Sequence, residues 1–338
     1  VERNERGRGE RAGRSGRTGR TPRVERTPKT PRAPRRPRAR ASRRASASRT
    51  KAVVLALVAV ALVVGAVALV ASGAARSLYR GLRALFEDDA PRVTIPEGFS
   101  RFDIADRLAA RGVCARAAFL SATTDAALLA ALEVPGTSAE GYLFPDTYGL
   151  APGSDAAAVV RRMVANFRAR TRPLFTEHAD ALTSHGLTTH DALVLASVVE
   201  KEAVVADEQP VIAGVFWNRL RRADFTPHRL QADPTVSYGC RAAPEAAPSC
   251  ARFDGRRITR TMTNDAANPY NTYRHDGLPP GPISSPGLGA IRAALSPAAH
   301  DYFYFVARGG RRHTFSRTLA EHDSAVGTWH ELRDEAAR

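Results

Sequence analysis

Cysteine is scarce in this sequence, and none of it is arranged for metal or redox work. Of 338 residues only Cys114, Cys240 and Cys250 are cysteines, and no two form a CxxC pair. No HExxH run occurs, and the nine histidines are scattered along the chain. Those absences exclude zinc-ribbon, thioredoxin-like and zincin chemistry, so neither a metal nor a cofactor is expected. Net charge is equally sparse outside one segment. The formal charge of +16 comes almost entirely from residues 1–51, which hold 19 Lys/Arg against 4 Glu, a net of +15. The rest carries +1 and lacks the basic footprint of a nucleic-acid binder. No nucleic-acid partner is expected: the charge lies in a tail set apart from a near-neutral remainder, and salt-sensitive DNA binding by that tail alone is what any polycation shows.

The tail also lacks apolar residues beyond a few Ala and Val. A chain of Arg, Pro, Ser, Thr and Gly cannot bury enough surface to offset its ordering entropy, so residues 1–51 are expected to be disordered. Attraction to anionic lipid, docking to an acidic partner and a purely topogenic role all fit it.

The adjoining segment is the opposite in character. Ala52 to Ala75 is a run of 24 residues of Ala, Val and Leu broken only by Gly65, Ser72 and Gly73. As a helix it would be about 36 Å long, enough to cross a hydrocarbon core of about 30 Å. Arg43, Arg44, Arg49 and Lys51 flank its start, which predicts a cytoplasmic N-terminus and a remainder on the far side of the membrane.

Residues 76–92 read as a spacer. Val93 to Gly98 reads as a short strand ending in a Pro/Gly turn, and Ser100 as the cap of a helix through Arg111. Residues 115–134 supply one or two short helices, and Asp155 to Arg170 an amphipathic one. Thr188 to Asp191 carries cap chemistry for an apolar helix over Ala192–Ala206, and Pro210 opens another helix. Leu230 to Gly239 reads as the start of a strand-and-turn region. Tyr302 to Ala307 reads as a strongly buried strand turning back at residues 308–312, and Thr318 to Glu321 as a capping box for the last helix. Cys240 and Cys250 bracket a Pro/Ala-rich segment that a disulfide would close in an oxidising compartment; two free thiols fit as well.

Chemistry concentrates in Ala196-Ser-Val-Val-Glu-Lys-Glu-Ala203. Two carboxylates and a lysine stand where the apolar pattern would otherwise continue. A glutamate in apolar surroundings keeps its proton to higher pH, which suits a general acid. The plainer reading is that the helix surfaces here. Periodicity does not choose between the two: Glu200 shares a stripe with Leu193 and Ala196, Glu202 with Leu195, Val198 and Val199. Glu140-Gly-Tyr-Leu-Phe-Pro-Asp-Thr-Tyr148 mixes ring faces with carboxylates, as carbohydrate sites do, and Asn268 to Pro282 is polar, aromatic and stiffened by prolines.

Taken in order, Glu140–Tyr148, Ala196–Glu202, Leu230-Gln-Ala-Asp-Pro-Thr235, Tyr270-Asn-Thr-Tyr273 with Gly277-Leu-Pro-Pro-Gly281, and His313-Thr-Phe-Ser316 closely resemble the MltG/YceG-like endolytic murein transglycosylases. The resemblance implies an α+β protein with a single N-terminal transmembrane helix (52–75), a small LysM-like module (93–135) and a mixed α/β YceG-like catalytic domain (136–335) outside the membrane. It implies an enzyme of the bacterial cell membrane that cuts peptidoglycan between N-acetylmuramic acid and N-acetylglucosamine, leaving 1,6-anhydro ends. Among the two glutamates it selects Glu200. Gln231, Asp233, Tyr270, Asn271 and Tyr273 become candidates for orienting substrate or holding Glu200, with Glu140, Asp146 and Tyr148 behind them. Partners implied are glycan strands, membrane lipid and penicillin-binding proteins of the wall-synthesis machinery. The alternatives are a peptidoglycan-binding scaffold without turnover, and a hydrolase that uses a second carboxylate such as Asp233 to activate water.

Overall fold

The computed structural model describes residues 54–65 and 90–336. Two compact units divide at Ser77 and Leu78. Of the first, residues 54–65 form a helix, α1, whose Val and Leu side chains are all exposed. Among the described residues no helix is long and apolar enough to cross a membrane; the rest of the expected span 52–75, and the tail before it, lie outside them.

The second unit is built around two hydrophobic clusters. The first gathers β1 (Arg92–Thr94), α2 (Arg101–Ala110), α3 (Arg116–Ala122), α4 (Ala126–Ala131), β2 (Thr147–Gly149) and the front of α5 (Ala156–Glu177). Ser100 caps α2 with a capping box completed by Asp103, and Asp125 and Asp155 cap α4 and α5. Side-chain caps of this kind satisfy N–H groups that the first turn cannot. β1 and β2 pair antiparallel with Val93 opposite Tyr148, so the chain returns to its own first strand after three helices. The cluster continues past residue 135 into Val159, Val160, Met163 and Val164 of α5. α5 runs on to Glu177, beyond the expected end at Arg170, because Thr171 and Leu174 prolong its buried face.

The second cluster surrounds α7 (Thr189–Glu202), which follows the short α6 (Ala179–Ser184). A Thr188/Asp191 capping box starts α7, and every residue from Ala192 to Val199 is buried. α8 (Gln209–Arg221) and α11 (Leu288–Leu295) pack on it, and between them lie α9 (Asp233–Ala242) and α10 (Arg260–Asn264). α9 corrects the expected strand over Leu230–Gly239: Asp233 and Pro234 occupy its first turn, where proline's missing N–H and fixed φ suit a helix. β3 (Tyr304–Gly309) and β4 (Arg312–Ser316) form the expected hairpin, and the Thr318/Glu321 box opens α12 (Leu319–Ala336). β3 is only half-buried, contrary to the strongly buried strand expected. Its ribbon has two strands, with Phe305 edge-on to Phe216 of α8 and Tyr304 stacked on His322 of α12, and both rings stay part-exposed. Among the described residues the α+β class therefore holds as many helices with two small antiparallel ribbons.

Candidate active site

α7 surfaces at Glu200, where three segments distant in sequence meet. The loop after β1 is tied to the loop before α11: the Gly98 N–H donates to Ser285 O at 2.9 Å, and the Ser285 N–H to Phe99 O at 2.7 Å. That second loop is tied in turn to α7. The Ile283 N–H donates to Ser197 Oγ at 3.0 Å, and Ser284 Oγ donates to Ser197 O at 3.1 Å. Ser197 thus explains a polar residue in the middle of a buried helix, since buried polar groups persist where both halves of each bond are supplied.

At this junction the Gly287 N–H donates to Glu200 Oε2 at 3.1 Å, while Oε1 has no hydrogen-bond partner among the described residues. Lys201 Nζ turns to Gly98 O at 3.1 Å. Gly98, at φ +75°, lies against Glu200, with an added Cβ 3.6 Å from its Cγ. Burial is the main reason the Glu200 carboxyl is pushed up to about 7; the Gly287 N–H and Lys201 oppose the rise, and the charge of Glu97 adds to it. A carboxyl near 7 holds and releases a proton at neutral pH, as general acid–base work requires.

Glu97 is the residue that sequence reading missed. It stands over Gly287, so close that a Cβ there would come within 1.9 Å of Glu97 Oε1. The Gly287 that donates to Glu200 therefore also leaves room for Glu97. The signal in the sequence was only Pro96-Glu97-Gly98, which by itself reads as a turn.

Glu202 lies two residues on, about 200° around the helix and so on its other side. It faces a cleft of about 350 Å³ shared with Gln231, Asp233, Tyr273 and Arg219. Burial, with a smaller push from Asp233, raises Glu202 to about 7 against the pull of Arg219. Tyr273 Oη donates to Asp233 Oδ1 at 2.8 Å. Gln231 is exposed at φ +53°, a left-handed backbone that costs a non-glycine residue roughly 1 kcal/mol or more. Arg219 is buried; its Nε donates to Phe303 O at 2.6 Å and its Nη1 to Leu230 O, which fixes the segment before Gln231. Three of the expected binding residues thus cluster, but beside Glu202. Asp233 also borders a second cavity, which reaches Lys201.

The others serve the framework. Asn271 is fully buried, and its Nδ2 donates to the carbonyls of Met262, Thr263 and Asp265, closing the end of α10. Glu140 is 1% exposed and accepts from the Arg101 N–H with both carboxylate oxygens, at 3.1 and 2.9 Å, at the start of α2. Burial pushes Glu140 to about 7 despite that N–H and the charge of Arg101. Tyr148 is buried and donates to Phe144 O at 2.6 Å. Asp146 is engaged by Asn166 and Arg170, both at 3.0 Å. Tyr270 is half-buried with its ring edge-on to Tyr238 at 4.9 Å. None of these residues borders either cleft beside α7, because each spends its polar atoms or its ring face on the backbone and helices around it. His313, from the last of the motifs, pairs through Nδ1 with buried Glu208 at 2.7 Å and so fastens β4 to the start of α8. Among the described residues no group of three or more His, Cys, Asp or Glu is placed to hold a metal ion.

Known proteins carry the same frame. A crystal structure of a yceG-like protein from Listeria monocytogenes is 32% identical and superposes with a TM-score of 0.57, over 70% of this chain and 75% of that one. The endolytic murein transglycosylase of Bacillus subtilis is 33% identical over 188 residues, 55% of this chain and 46% of its own length. That of Streptococcus pneumoniae is 30% identical over 235 residues, 64% of this chain and 40% of its own. This chain thus matches less than half the length of either of these two relatives. The profile of the YceG-like family matches residues 44–328, which take in both hydrophobic clusters and the junction at Glu200: the chain belongs to the YceG-like family.

Proposed function

We propose that this chain is an endolytic peptidoglycan transglycosylase that cleaves the bond from N-acetylmuramic acid to N-acetylglucosamine without water, with Glu200 as acid and then base. The observation that carries the reading is the state of Glu200. Its carboxyl sits near pH 7, one oxygen is held by a neutral N–H, and the other has no partner among the described residues. In the first half of the reaction the protonated carboxyl gives its proton to the glycosidic oxygen, and the C1–O bond breaks to free the 4-hydroxyl of N-acetylglucosamine. In the second half the carboxylate takes the proton from the muramyl 6-hydroxyl as that oxygen bonds to C1. Atoms and charge balance with one carboxyl, and the internal nucleophile gains from proximity. A hydrolase would need a second carboxylate placed for water. Asp233 is engaged by Tyr273 and shares the cleft of Glu202, which argues against it as that second carboxylate.

The reading extends to location. Residues 52–75 anchor the chain in the bacterial cell membrane, supported by the charge-free apolar run and by the exposed Val and Leu side chains of α1. Residues 93–135 act as a LysM-like glycan-binding module, and the catalytic unit works on the outer face beside lipid and penicillin-binding proteins. The test is mass spectrometry of glycan products from wild type, Glu200→Gln and Glu202→Gln. Anhydro-muramyl ends that disappear in Glu200→Gln alone support the proposal. Reducing ends, or loss only in Glu202→Gln, overturn it.

A further inference from the structure

Lys201, the residue after Glu200, borders a cavity of about 540 Å³ together with Arg241, Arg256, Arg257, Asp103 and Asp233. Four cations face two carboxylates there. Arg241 Nη1 donates to Asp103 Oδ1 at 2.9 Å, and Lys201 is on the Gly98 carbonyl. The guanidinium groups of Arg256 and Arg257 have no hydrogen-bond or ion-pair partner among the described residues.

The two arginines are carried on an anchored loop. Its start is fixed by the Cys240–Cys250 disulfide, and Phe253 and Ile258 on either side of them pack onto the small cluster of Val236, Ala247 and Met262. The Arg256 N–H donates to Asp254 Oδ1 at 2.9 Å around Gly255, whose φ is +84°. A disulfide, an apolar anchor and a turn therefore hold two uncompensated cations at the rim of a cavity that begins one residue from Glu200.

An N-acetylated glycan backbone is uncharged, so sugar binding gives no reason for this charge. The muramyl sugar, however, carries a lactyl-linked peptide rich in carboxylates, attached to the very ring whose C1–O bond breaks. At about 3.3–3.6 Å per extended residue its first free carboxylates lie within roughly 10 Å of that ring. Guanidinium forks match carboxylates in shape and charge.

We propose that the Arg256/Arg257 loop binds the acidic peptide stem of the muramyl residue, so that the enzyme distinguishes peptide-bearing from stripped glycan strands. This rests on the transglycosylase reading. The experiment compares, with the full chain, strands carrying stems and strands stripped by an amidase, for wild type, Arg256→Ala/Arg257→Ala and Arg256→Lys/Arg257→Lys. Wild type is expected to show a KM roughly five- to tenfold lower for peptide-bearing strands, from two exposed charge pairs. That ratio falls to near one in the alanine pair and stays largely intact in the lysine pair; added salt lowers it in wild type. Equal KM values in wild type, or full discrimination in the alanine pair, overturn the proposal. If wild type cleaves neither strand, the transglycosylase reading fails by itself, and fluorescence anisotropy of labelled strands decides the stem site. Tighter binding of peptide-bearing strands that the alanine pair loses supports it, and equal binding overturns it.

Discussion

Replacing Glu97 by Gln tests the electrostatics of Glu200 with little change of shape. The two carboxyls share Gly287 as a neighbour, one through its N–H and the other over its Cα. For carboxylates on the order of 6 Å apart, with one exposed, an effective dielectric of about 40–80 gives an interaction of roughly 0.7–1.4 kcal/mol. Its loss should lower the Glu200 pKa by about half to one unit. From a starting value of about 7 the protonated fraction at pH 7.5 would fall by roughly three- to eightfold. The assay is single-turnover cleavage of purified glycan strands from pH 5 to 9. Wild type should lose rate on an alkaline limb centred near 7, and Glu97→Gln should move that limb to lower pH while leaving the low-pH plateau in place. Gly287→Ala, whose Cβ would displace the Glu97 carboxyl, should move it the same way. A limb that stays put in both variants, with wild-type plateaus, would refute the argument that Glu97 adds to the proton affinity of Glu200.

Other expectations come from the frame. Gly239→Ala places a Cβ 1.9 Å from Oδ1 of buried Asn268, which accepts from the Tyr270 N–H; urea unfolding should show a loss of roughly 2–4 kcal/mol. Cys240→Ser/Cys250→Ser removes a bridge across ten residues, and the chain-entropy relation gives roughly 2–3 kcal/mol; the same measurement checks it against oxidised wild type. Glu140 and Glu202 bind protons more tightly folded than unfolded, so their contribution is full below about pH 4.3 and is lost as pH rises through about 7. Thermal unfolding should accordingly occur at lower temperature at pH 8 than at pH 5.5, and Glu140→Gln should flatten part of that slope; a midpoint that rises over this interval would contradict it.

Local rules carried well wherever the chain talks to itself. Ser100, Thr188 and Thr318 cap as their sequences foretell, because each needs only an acidic residue three positions on. The apolar run of α7 and the β3–β4 hairpin are likewise local. Leu230–Gly239 misled because Ala-Asp-Pro-Thr is as good a helix start as a turn, and only packing against α7 decides. The site was legible in its types and not in its grouping. Glu200 and Glu202 looked equivalent, since what separates them is Gly287, 87 residues away. Asn271 and Glu140 read as binding groups because composition shows a polar atom without showing the backbone that consumes it. Glu97 carried no pattern at all, because its meaning comes from a neighbour nearly two hundred positions downstream.

The stitching of Phe99 and Gly98 to Ser285 has a practical corollary for anyone who would cut this chain into parts. The carboxylate next to Glu200, and the glycine its side chain rests on, come from the turn after β1, ahead of any boundary drawn at residue 135. A fragment starting at 136 would keep every residue of α7, and Gly287 with it, and still lose Glu97 and Gly98 from beside Glu200. The proton affinity of Glu200 is not portable: it belongs to the seam, and transplanting either side alone would carry over the motif without its surroundings.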